Sequence, residues 1–121
     1  MKENPFKNKS FAFALRVVKL FKYLQGTKKE YVLSKQLLRS GTAIGALHRE
    51  AEYAESKADF VHKMAIAQKE INETIYWLEL LKETDYLNDE QFDSISTDAI
   101  EIIKILTTII KNTKTNLTTN H

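Results

Sequence analysis

Phe92, Ile95, Ala99, Ile102, Leu106 and Ile109 recur at alternating steps of three and four along the last third of the chain. An earlier segment keeps the same period: Phe60, Met64, Ala67, Ile71, Leu78 and Leu81 share one face, broken only by Thr74. Apolar stripes with this spacing belong to helices that bury one side against other helices. They predict helices over about residues 57–84 and 89–113. Ser56 followed by Asp59, and Asn88 followed by Gln91, give each an N-terminal capping signature.

The first half of the chain predicts two more helices, over about 9–25 and 29–55. Helix 1 carries two apolar stripes, Phe11, Ala14, Val18 and Phe21 on one and Phe13, Val17, Leu20 and Leu24 on the other. One core rarely needs both. Either the helix is deeply buried or its second stripe packs against a neighbouring subunit. Gly26 is expected just past its end. Thr27-Lys28-Lys29-Glu30 has capping-box spacing ahead of helix 2, whose inward face would hold Leu33, Gln36, Leu37, Ser40, Ala43, Ile44, Leu47, His48 and Ala51. Gly41 and Gly45 lie one turn apart along its edge. Mid-helix glycine costs about 1 kcal/mol relative to alanine, so close approach of another helix is expected there, with a hinge as the alternative.

Once the stripes of helices 3 and 4 are assigned to a core, Ile66, Trp77 and Leu80 remain as surplus apolar surface. With Phe13, Val17 and Leu20 they form the expected oligomer interface. Residues 1–7 and 114–121 are expected to fray.

With 121 residues, 43% of them apolar, the chain suits one all-α domain, an antiparallel up-and-down four-helix bundle. Three glycines and one proline leave few breakers. There is no cysteine, which excludes disulfides and thiolate chemistry. The N-terminus lacks a secretory signal, and no apolar run reaches the roughly 20 residues of a membrane span, so a soluble cytoplasmic protein is expected.

Charge is unevenly placed. Residues 1–49 hold eleven Lys or Arg against two acidic residues, and residues 50–103 hold four against fourteen. The two halves can neutralise each other within or between bundles. Alternatively the basic half, with Arg16, Lys19, Lys22, Lys28, Lys29, Lys35 and Arg39, can attract phosphates without reading sequence.

Catalytic and metal chemistry find little support. The Glu-x-x-His pairs of di-metal bundles have one approximate match, Asp59-x-x-His62, and helix 4 has no histidine to complete a second. His48 suits a core or interface position better than a ligand set. Glu70 with Glu73, and Glu50, Glu52 and Glu55, are better solvated faces than acid–base pairs. No nucleophile elbow or phosphate loop occurs. The expectation is a non-enzymatic protein with no metal and no cofactor.

Leu33-Ser34-Lys35-Gln36-Leu37-Leu38-Arg39-Ser40-Gly41-Thr42-Ala43-Ile44-Gly45-Ala46, followed by Arg49-Glu50-Ala51, resembles the bacterial four-helix-bundle family associated with intervening sequences in large-subunit ribosomal RNA genes. Asn4-Pro5, Ser10 to Leu15, Ser56, Asp59-Phe60, Lys63, Ile66-Ala67, Lys69-Glu70, Glu73-Thr74 and Tyr76-Trp77-Leu78 fit the same pattern. The resemblance implies an up-and-down bundle forming a ring-shaped homo-oligomer, typically a pentamer. A related branch, the accessory subunit of diversity-generating retroelements, implies nucleic acid and a reverse transcriptase as partners. Arg39, Arg49 and Glu50 match the family motif. Ala43 and Leu47 replace its usual serine and asparagine, and His48 an aliphatic residue.

Overall fold

The computed structural model describes residues 4–119, and they form four helices: α1 (Pro5–Gly26), α2 (Leu33–Ala51), α3 (Lys57–Glu83) and α4 (Asp89–Thr119). Each helix packs on its sequence neighbours and α4 closes back on α1, the least intimate of the four contacts. This is the expected antiparallel bundle. None of the described helices is long and apolar enough to cross a membrane.

α1 starts four residues before the expected Lys9. The Asn4 side chain accepts the Lys7 amide at 3.0 Å, and Pro5 supplies a first-turn residue with φ already set for a helix. The extra turn puts Phe6 into the core beside Phe13, Val17 and Leu24. Phe13 and Val17 were expected at a subunit interface, but they are 1% and 0% exposed within the chain's own bundle. The outward side of α1 instead carries Phe11 and Leu15, 53% and 50% exposed.

The α1–α2 connection also departs from expectation. Gly26 stays helical, and Lys29 takes the left-handed backbone conformation (φ 57°) after which the Glu30 amide returns to the Leu24 carbonyl at 2.9 Å. A backbone amide bonded back across six residues closes a helix end. The Thr27 box does not form. Glu30 reaches forward instead, and its carboxylate accepts the amides of Val32 (3.1 Å), Leu33 (2.9 Å) and Ser34 (2.6 Å), so α2 begins at Leu33 rather than 29.

Burial alone would raise the Glu30 carboxyl, but these amides hold it below its ordinary value of 4.5. A lowered folded-state value stabilises the fold above the unfolded carboxyl range, and that contribution disappears as pH falls through the folded value. Glu30→Gln is therefore expected to cost about 1–2 kcal/mol at neutral pH, and less as acid titrates the parent residue. Thermal unfolding of both proteins across the acid range checks this.

The other capping signatures form as expected. Asp59 donates its amide to Ser56 Oγ at 3.0 Å, and Asn88 and Gln91 exchange side-chain to amide bonds at 2.8 and 3.0 Å. α2 ends at Ala51, short of the expected residue 55. α4 runs beyond the expected 113 to Thr119, so most of the tail expected to fray is helical. Its threonine hydroxyls donate to carbonyls one turn back, Thr113 to Ile109 at 2.8 Å and Thr115 to Lys111 at 3.0 Å, so these polar groups are satisfied within the helix. Residues 1–3 and 120–121 of the expected frayed ends lie outside the described residues.

The core follows the middle of the stripes: Met64, Ala67, Ile71, Leu78 and Leu81 from α3 meet Ile95, Ala99, Ile102 and Leu106 from α4, while at the ends Phe60 and Phe92 are half-buried and Ile110 is buried in place of the expected Ile109. Thr74, the break in the α3 stripe, is fully buried. Its hydroxyl donates to the Glu70 carbonyl (2.7 Å) and pairs with Ser40 Oγ of α2 (2.9 Å). A buried hydroxyl pair of this kind satisfies both groups. Gly41 meets α1 closely enough that an added Cβ would stand 2.8 Å from Val17 Cγ2. Close helix approach, not a hinge, accounts for this glycine.

Candidate interaction surfaces

The basic residues do not form one patch. Arg16 on α1 reaches α4, where its guanidinium donates to the Asp98 carboxylate (2.6 Å), the Ser94 hydroxyl (2.8 Å) and the Ser94 carbonyl (3.1 Å). Lys9 pairs with Glu101 on the same flank. Arg39 on α2 reaches α3 and holds both Glu70 (3.0 and 3.2 Å) and Glu73. Because α1 packs on α2 and α4 only, the Arg16 and Arg39 flanks lie on opposite sides of the bundle. Their charge is already matched by carboxylates, which raise the pKa of Arg39 further. The uneven charge along the chain is thus partly an internal pairing between helices.

Glu73 also accepts the Trp77 indole N–H at 3.1 Å, and this bond, with the smaller help of Arg39, holds its carboxyl below the usual range against the opposing effect of burial. Trp77 is half-buried and stands edge-on to Tyr76, 5.1 Å between ring centroids. Ile66 and Leu80 are also half-buried, and Tyr76 is 55% exposed. α3 therefore presents an outer face that mixes aromatic rings with carboxylates.

Lys19, Lys22, Lys28, Lys29 and Lys35 are exposed, and among the described residues none has an ion-pair partner. They lie around the second half of α1, the α1–α2 connection and the start of α2. Lys19, with Arg16, Leu20 and Tyr23, lines a groove of about 530 Å³ against Glu90, Gln91 and Ser94 of α4. Of the motif residues, Glu50 pairs with Lys63 at 3.2 Å and Arg49 lies over the Phe11 ring, 5.7 Å from its centroid.

The nearest metal-like pair is otherwise employed. Asp59 accepts the Glu55 amide at 3.2 Å, and His62 is exposed. Among the described residues no three His, Cys, Asp or Glu side chains group as a metal site requires.

Comparison with known proteins adds the family. The model of the 23S rRNA-intervening sequence protein family matches residues 2–108. The chain belongs to this family. A crystal structure of a protein of unknown function from the S23 ribosomal protein family of Bacteroides thetaiotaomicron is 57% identical to this chain. It covers 88% of this chain and 98% of its own, with a TM-score of 0.87. No curated protein matches. Membership of the 23S rRNA-intervening sequence proteins agrees with the motif in α2 and with the four-helix architecture.

Two features escaped the sequence. Glu30 was assigned to a box with Thr27, although its spacing to Leu33 and Ser34 serves the next helix directly. The exposed Phe11 belongs to the stripe not chosen as surplus, and Leu15 to neither stripe; Asn4-Pro5 is the signal that extends α1 and reverses the choice between stripes.

Proposed function

We propose that this 23S rRNA-intervening sequence protein is a non-enzymatic assembly module that forms a ring-like homo-oligomer, with the outer face of α1 in one copy meeting the outer face of α3 in the next. The observation that carries the reading is the exposure of Phe11 and Leu15, four residues apart on one side of a helix. Large apolar side chains grouped at a surface favour burial against a partner. The two faces also suit each other in charge: Lys22 and Arg49 border the α1 face, while the exposed Glu79 and Glu83 accompany Tyr76, Trp77 and Leu80 on α3. Contact between different surfaces propagates head to tail and closes as a ring when the rotation allows.

Light scattering is the direct test. An assembly well above the 14.0 kDa of one chain is expected, about 70 kDa for the pentamer that the family resemblance implies. Replacing Phe11 and Leu15 together with glutamate should leave a helical monomer. A parent protein that is monomeric at micromolar concentration, or a double variant that assembles unchanged, overturns the reading.

The five unpaired lysines favour a second reading, nonspecific binding of RNA or DNA along the α1–α2 edge, with Arg16 and Arg39 left out. Titrating the same preparation with RNA should give binding that weakens steeply with salt, because each phosphate contact releases counterions.

A further inference from the structure

A second cleft lies between α1 and α2, and its chemistry differs from that of the other surface hollows. It encloses about 260 Å³, and no carboxylate lines it. By contrast Glu90 lines the α1–α4 groove, and Glu50, Glu55 and Asp59 line the hollow at the α2–α3 turn. Gly45 leaves part of its wall without a side chain, and Lys7 and Arg49 enter it from opposite helices. Both cations are exposed, and among the described residues neither has an ion-pair partner. Arg49 Cζ lies 5.7 Å from the Phe11 ring centroid, within cation–π range, which favours a guanidinium held at this wall of the cleft.

His48 completes the lining. It is 4% exposed, its ring lies 5.0 Å from that of Phe6, and its Nδ1 is buried with no hydrogen-bond partner. The Glu52 carboxylate, 4.0 Å from Nδ1, is beyond hydrogen-bond reach and does not line the cleft. Burial holds the imidazole below its ordinary pKa. Glu52 opposes this, while Lys7 and Arg49 add to it, which places both cations within electrostatic range of the ring. A buried nitrogen without a partner is costly, and an anion beside it offers the ring a partner while neutralising two cations.

We propose that this cleft binds a phosphate group, held between Lys7 and Arg49 with the His48 imidazole in its wall. A tetrahedral phosphate can address donors arriving from two helices, and the guanidinium fork matches two of its oxygens. The volume is below the roughly 300–1,000 Å³ of sites for larger ligands, which suits a phosphate head group. The phosphate can come from a free monoester or from nucleic acid. The cleft shares Phe11 and Arg49 with the α1 face of the assembly reading but does not depend on that reading, and it uses different cations from the lysine edge.

The test is a titration of the parent protein, in its native assembly state, with inorganic phosphate at constant ionic strength, following the His48 imidazole by nuclear magnetic resonance. A saturable shift is expected at His48 and none at exposed His62. Lys7→Gln and Arg49→Gln, both at exposed positions, should each weaken binding about tenfold, the effect of losing one charge-assisted contact. Lys104→Gln, at an exposed position on α4 away from the cleft, should leave it unchanged. A shift that never saturates, or an equal loss in Lys104→Gln, overturns the proposal, because either means diffuse attraction to positive charge. Competition by a single-stranded RNA oligonucleotide, lost in the Lys7 and Arg49 variants, identifies nucleic acid as the source. Saturable phosphate binding without such competition identifies a free monoester.

Discussion

Phe13→Ala is expected to remove about 3–5 kcal/mol of stability, whereas Phe11→Ala, two positions earlier, should cost less than about 1 kcal/mol. For a domain of this size the first corresponds to a fall in Tm of about 12–20 °C. Both residues are phenylalanines in the same helix, so propensity and hydrophobicity cannot separate them. Their rotation about the α1 axis does. Phe13 is 1% exposed among Phe6, Val17 and Leu24, and its loss leaves a cavity that well-packed neighbours close only in part. Phe11 is 53% exposed and loses mainly surface contact and its cation–π contact with Arg49. Urea unfolding of the two variants by circular dichroism measures the difference, and light scattering under native conditions should show the opposite order of effects on assembly. If Phe11→Ala proves the costlier for folding, α1 is rotated relative to the arrangement described here.

The same pair shows where pattern reading succeeds and where it stops. The α3 and α4 stripes could be read because each is one long unbranched series at helical period; α4 has a mainly polar remainder, and the apolar residues of α3 off the stripe, Ile66, Tyr76, Trp77 and Leu80, form no second series of comparable length. α1 is apolar on two sides, and period alone cannot choose between them. The deciding residue was Phe6, which extends Phe13, Val17 and Leu24 by steps of seven, four and seven. It counts only once Asn4 and Pro5 are recognised as the start of the helix. Capping boxes were readable at Ser56 and Asn88, where the partner stands three residues on. The Glu30 cap was not, because it depends on Lys29 adopting a left-handed backbone that nothing in a lysine announces.

For the candidate surfaces the same reasoning applies across greater distances. A run of cations shows that charge is present but not which carboxylate faces it. Arg16 finds Asp98 and Arg39 finds Glu70 across 82 and 31 residues of chain, and only the topology of the bundle brings them together. Surface ion pairs of this kind contribute little to stability, usually under about 1 kcal/mol. Their consequence here is to remove two arginines from the charge available to a phosphate. The lysines that remain, and the Lys7 and Arg49 pair flanking His48, are those with no ion-pair partner among the described residues. In the sequence Arg49 stands out only as part of a motif, and nothing singles out Lys7.

Gly41→Val should destabilise the bundle by about 3 kcal/mol and Gly41→Ala by about 1–2 kcal/mol, while Gly45→Ala, one turn away, should be neutral or slightly stabilising. Alanine is the better helix former at both positions, so any net loss measures steric conflict. At Gly41 an added Cβ would stand 2.8 and 2.9 Å from the two methyl carbons of Val17. Val17 is fully buried and branched at Cβ, so it cannot turn aside without moving α1. At Gly45 the nearest atom to an added Cβ is Ser10 Oγ at 3.4 Å, close to ordinary contact. A double-mutant cycle isolates the cause. Val17→Ala alone leaves a cavity, but combined with Gly41→Ala it removes the methyl groups in conflict, so the two losses should sum to less than their separate values. Strict additivity would mean that Gly41 is required for some reason other than contact with Val17. The close approach of α1 and α2 at this point would then need another explanation.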